Sequence, residues 1–104
     1  MTIQVTPSLA LNDDEVELQF IRASGPGGQN VNKVSSAVQL RFDARRSPSL
    51  PNDVSIRLQK LAGSKLTLDG VIVLTANRFR TQEANRRDAI ERLSELITKA
   101  AVAP

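Results

Sequence analysis

Val16-Glu17-Leu18-Gln19-Phe20-Ile21 and Val38-Gln39-Leu40-Arg41-Phe42-Asp43 decide the reading of this 104-residue chain. In each run Val, Leu and Phe recur at every second position. That is the period of a β-strand with one buried face. Between the runs, Ser24–Lys33 holds three Gly, one Pro, two Asn and only Val31 as an apolar residue. A plain hairpin closes with about two to five residues, so this connection is longer than strand pairing requires. A long, polar, Gly-rich loop on a small sheet is where function concentrates.

Working outward, Thr6–Asn12 reads as a polar lead-in, and Arg45–Pro51 as a turn-rich connection. Pro51 suits a first helical turn, where its missing N–H has no partner to lose. Val54, Leu58 and Leu61 follow at helical spacing, and Gly63 is a stop. Asp69-Gly70 signals a turn before the β-branched run Val71–Thr75, and Leu66 and Leu68 can form a short strand ahead of it. From Thr81, a candidate N-cap, the pattern is helical, with Ile90, Leu93 and Ile97 on one face. The order β–loop–β–α–β–α predicts a single α+β domain over residues 1–104. Its sheet is small, mixed or antiparallel, with helices packed on one face.

Composition narrows the chemistry. The chain has no Cys and no His, which excludes disulfides, Cys/His zinc sites and Ser-His or Cys-His catalysis. No cofactor is expected. Aromatic content is 3%, from Phe20, Phe42 and Phe79, so the core is aliphatic and a base-stacking sheet is not expected. Net charge is +3, distributed unevenly. Residues 1–21 carry Asp13, Asp14, Glu15 and Glu17 and no base, whereas all 14 Lys and Arg lie between residues 22 and 104. A basic body favours a polyanionic partner, nucleic acid first, although a merely solubilised surface has the same composition. No signal peptide, transit peptide or membrane-length apolar run is evident, so a soluble, cytoplasmic, monomeric protein is expected.

The loop Ser24-Gly25-Pro26-Gly27-Gly28-Gln29-Asn30-Val31-Asn32-Lys33 is neither a P-loop nor a dinucleotide fingerprint. It resembles the Gly-Gly-Gln signature of the class I peptide-chain release factors. With the strand Val38–Phe42 and the connection Ser47-Pro48-Ser49-Leu50-Pro51, the chain is similar to one branch. That branch comprises the codon-independent peptidyl-tRNA hydrolases that rescue stalled ribosomes, of the alternative rescue factor B type. The resemblance runs from about Leu11 to Leu96.

What the resemblance implies is hydrolysis of the peptidyl-tRNA ester in the active centre of the large ribosomal subunit. Gly27 and Gly28 would shape the loop. Gln29 would offer a backbone N–H to developing negative charge, while its side chain admits water and excludes other nucleophiles. Elementary chemistry agrees: Gln has no useful pKa and cannot be a general base, but a fixed backbone donor stabilises an oxyanion. Activity is therefore expected to need the ribosome and its P-site peptidyl-tRNA. Methylation of Gln29 by a glutamine methyltransferase also follows from the resemblance.

Ser24, Asn30 and Asn32 belong to the same string. Arg22, Lys33 and Arg41 flank it and can hold RNA phosphates; solvated strand-edge charges are the alternative. Arg78-Phe79-Arg80-Thr81-Gln82 resembles the family's His-Arg-Ser-Gln stretch: Phe79 and Thr81 replace its first and third residues, and Arg80 and Gln82 match. Phe79 is expected to pack in the core. Asn85, Arg86 and Arg87 fall on the next helical turn and either face the same RNA or form a solvated face. Asp13, Asp14 and Glu15 read as a solvated turn. With 104 residues, no stop-codon-reading domain is expected, and the basic tail of the rescue branch would be expected to begin at about Ala100–Pro104. A ribosomal-RNA docking module without hydrolysis is the second reading.

Overall fold

The computed structural model describes residues 2–21 and 37–102. Strands β1 (Thr2–Thr6) and β2 (Leu9–Asn12) form an antiparallel hairpin whose register slips between Gln4 and Thr6. A 3-10 turn at Asp13–Glu15 leads into β3 (Val16–Ile21). Then come β4 (Ala37–Asp43), helix α1 (Asn52–Ala62), β5 (Val71–Ala76) and helix α2 (Gln82–Ala101). β3, β4 and β5 make an antiparallel sheet in that spatial order, with β4 central.

The alternation of the sequence becomes the two faces of this sheet. Val38, Leu40 and Phe42 stand on one face of β4, opposite Ala76, Leu74 and Ile72 of β5, and all six are buried. The helices cover this face. Val54, Leu58 and Ala62 from α1 and Ala89, Leu93, Ile97 and Ala100 from α2 complete the core. Burying each large aliphatic side chain stabilises the fold by about 1.5–3 kcal/mol. The reverse face carries Glu17, Gln19 and Arg41, with Arg41 Nε 3.9 Å from Glu17.

Several expectations require correction. Within Thr6–Asn12, expected as a polar lead-in, Leu9–Asn12 is a strand paired with Thr2–Thr6, because Leu11 is buried and Ile3, Val5 and Leu9 pack against the core. Leu61 is exposed, since Ala62, eight residues after Val54, completes the buried stripe. Pro51 caps α1 from outside instead of occupying its first turn, and Gly63 ends the helix at φ 54°. Only Leu66 bridges to Ile72, and Leu68 is fully exposed at the turn. Phe20 lies on the core-facing side of β3, yet it is 59% exposed, because β3 is an edge strand.

Glu15 is not simply solvated. It accepts the hydroxyls of Ser47 and Ser49 and the Asn12 N–H at 2.9 Å. Burial acts to raise its pKa, but these hydrogen bonds together outweigh burial and hold the carboxyl below its ordinary value.

Candidate functional site

Gly27, Gly28, Gln29, Arg22, Ser24, Asn30, Asn32 and Lys33 lie outside the described residues. What the fold establishes is where their segment is attached. Ile21 and Ala37, on either side of residues 22–36, face each other across the β3–β4 ladder. Such partners sit about 4.5–5.5 Å apart, so both attachment points lie at one end of the sheet. Phe20 pairs with Val38, and Val38 with Ala76, the last residue of β5. The connection Asn77–Thr81 and the first turn of α2 therefore start at the same end.

That connection is held by its own side chains. Thr81 caps α2, its Oγ1 accepting from the Ala84 N–H at 3.1 Å. Asn85 is fully buried and grips Phe79 from both sides. Its Oδ1 accepts the Phe79 N–H at 2.9 Å, and its Nδ2 donates to the Phe79 carbonyl at 3.0 Å. Asn85 is thus neither solvated nor an RNA-facing group. The expectation of a core Phe79 is also overturned: the residue is 42% exposed, with the Arg78 guanidinium 4.9 Å from its ring centroid. Arg78 Nη2 donates to Asp88 Oδ1 at 2.8 Å, and Asp88 is only 3% exposed.

Among the remaining sequence candidates, Arg80, Gln82 and Arg86 are exposed on this connection and the first turns of α2. Arg80 and Arg86 make no ion pair among the described residues. Arg41 is also exposed, but it pairs with Glu17 and Val73, nearer the opposite end of β4 from Ala37. The fold thus gathers Arg80, Gln82 and Arg86 at the end where residues 22–36 attach and places Arg41 away from it. The sequence reading gives Arg78 and Asp88 no role of their own and Asn85 an exposed one. A polar residue between charged neighbours on a helix looks solvated until the neighbouring strand is placed against it.

A sheet end that anchors a Gly-Gly-Gln segment, beside a clamped basic connection, defines a class. The chain belongs to the RF-1 domain family, whose sequence model matches residues 3–103. Among individual proteins it is 52% identical over 98 residues to the peptidyl-tRNA hydrolase ArfB of Pseudomonas putida, covering 94% of this chain and 71% of that protein. It is 31% identical over 91 residues to large ribosomal subunit protein mL62 of Mus musculus, and there it spans 44% of the relative. Peptide chain release factor 2 of an Arthrobacter strain is 47% identical over 73 residues, which is 19% of that longer protein.

Proposed function

We propose that this chain is the catalytic domain of a ribosome-dependent, codon-independent peptidyl-tRNA hydrolase that rescues stalled ribosomes in the cytoplasm. The observation that carries this reading is the Gly27-Gly28-Gln29 string in a chain 52% identical to a protein named peptidyl-tRNA hydrolase. No described helix is long and apolar enough to cross a membrane. Residues 1–104 act as one domain and as a monomer, with the large-subunit RNA and P-site peptidyl-tRNA as partners. Gly27 and Gly28 shape the loop, and Gln29 presents its backbone N–H to the reacting ester and admits water. A donor of this kind contributes about 3–4 kcal/mol in a dry site. Arg22, Ser24, Asn30, Asn32, Lys33, Arg41, Arg80, Gln82 and Arg86 contact RNA. Gln29 is the substrate of a glutamine methyltransferase.

The similarity to a protein named as a ribosomal subunit favours a second reading, docking without hydrolysis. Retention of Gln29 favours the first, since Lys or Arg would serve a purely RNA-binding loop better. The test is peptide release from ribosomes stalled on an mRNA without a stop codon. Wild-type chain is expected to release peptide, and Gln29→Pro, which removes the backbone N–H, to reduce the rate by about a hundredfold or more, whereas Gln29→Ala keeps that donor and loses only the side chain's control of which nucleophile enters. Ribosome binding without release by the wild type would establish the docking reading instead.

A further inference from the structure

Arg78 matches no residue of the family's His-Arg-Ser-Gln stretch, yet among the described residues it is a cation held at two points near that end of the sheet. Its side chain is 69% exposed, but two fixed groups hold it. Behind it lies the Asp88 carboxylate, 3% exposed, accepting at 2.8 Å. Beneath it lies the Phe79 ring, whose backbone is pinned by Asn85 on both sides. An exposed Arg ordinarily samples many rotamers and loses that freedom on binding. Here most of the freedom is already removed, while a guanidinium offers five N–H donors and Asp88 Oδ1 takes one of them.

Stability alone does not account for Asp88. A buried ion pair can often be replaced as a whole by apolar residues at no loss of stability, so the Arg78–Asp88 pair is weak evidence of a stabilising role. Its Oδ2 accepts no hydrogen bond among the described residues and is 3.8 Å from Arg92 Nη1, which donates instead to the Thr75 carbonyl at 2.9 Å. One carboxylate between two guanidinium groups also leaves the cluster positive. Arg80 and Arg86 add exposed charge on the same connection and helix turn.

We infer that Arg78 is a preorganised binding residue for an RNA phosphate at the catalytic end, and that Asp88 is the positioning residue that sets it. This rests on the ribosome-binding part of the proposed function, with the phosphate belonging to ribosomal RNA or the P-site tRNA. It adds a contact to the residues assigned above and gives a purpose to the buried carboxylate.

The experiment measures equilibrium binding of the full chain to stalled ribosomes over a series of salt concentrations, together with the release rate at saturating protein. Arg78→Ala is expected to weaken binding about tenfold and to lower the salt slope by about 1. Asp88→Asn, close to isosteric, is expected to weaken binding about threefold, and to have no effect in the Arg78→Ala background. Arg78→Lys keeps the charge but not the planar fork, and is expected to fall between wild type and Arg78→Ala. An unchanged affinity and salt slope for Arg78→Ala overturns the inference. So does an Asp88→Asn loss of equal size in both backgrounds, which marks a structural role only. Circular dichroism of each variant at the assay temperature separates misfolding from lost contact. Wild-type binding without release refutes hydrolysis but leaves this inference to stand or fall on the binding data.

Discussion

Asn85 shows how much a single buried polar side chain contributes to the end of the sheet where residues 22–36 attach. Its amide closes two hydrogen bonds on the backbone of Phe79, and it is fully buried. Loss of a net hydrogen bond costs about 0.5–1.5 kcal/mol, and more where a buried partner is left unsatisfied. Asn85→Ala is therefore expected to destabilise the domain by about 2–3 kcal/mol, read as a lower midpoint in thermal or urea unfolding. An unchanged midpoint would mean that the clamp contributes nothing net. The exposed neighbour Arg86 makes no ion pair among the described residues, and substituting it should leave stability nearly unchanged. The one-residue contrast between Asn85 and Arg86 was not legible in the sequence. Both are polar residues early in a helix, and only the strand connection lying over one of them distinguishes the two.

At the scale of elements, the turn into β5 depends on Gly70. Its φ is 85°, and a Cβ placed there would lie 2.7 Å from Arg45 Cβ. Gly63 also has positive φ, at 54°, but a Cβ there meets nothing within 4 Å. Left-handed backbone on a residue other than Gly costs on the order of 1 kcal/mol, and a clash with a neighbouring Cβ adds to it. Gly70→Ala is expected to lower unfolding stability by about 2–3 kcal/mol and Gly63→Ala by about 1 kcal/mol. Equal losses measured by denaturant titration would show that the Arg45 contact relaxes freely. Both glycines were legible as turn and stop signals. The Arg45 contact was not, because it joins residues far apart in sequence. The N-terminal hairpin was missed for a related reason: Ile3, Val5, Leu9 and Leu11 are a short pattern broken by Pro7, and its apolar side has meaning only against the core it covers.

At the scale of the whole molecule, Glu15 ties the chain before β3 to the connection before α1, through Ser47 and Ser49. Its pKa is lowered in the folded protein from an ordinary 4.5. A lowered carboxylate pKa gives stability that is present above the unfolded value and lost as pH falls through the folded one. Wild-type stability should therefore decline as pH drops below about 4.5. Glu15→Gln is expected to be less stable near neutral pH, by on the order of 1 kcal/mol, with a shallower decline in acid. Unfolding midpoints measured from pH 7 down to pH 3 check this; an identical acid slope for both proteins would show that Glu15 carries none of it.

The sequence by itself determined the two main strands, the third strand after Asp69-Gly70, both helices and the α+β class, because periodicity and turn chemistry are local properties of the chain. It also carried the Gly-Gly-Gln string, since a motif is a matter of residue order. The tertiary structure alone decided which end of the sheet gathers the basic residues. That depends on strand register: Ile21 opposite Ala37 and Val38 opposite Ala76 bring residues separated by much of the chain to one place. It alone decided that Asn85 and Asp88 point inward beneath Arg78 and Phe79, because burial is a property of what packs against a residue rather than of its neighbours in sequence.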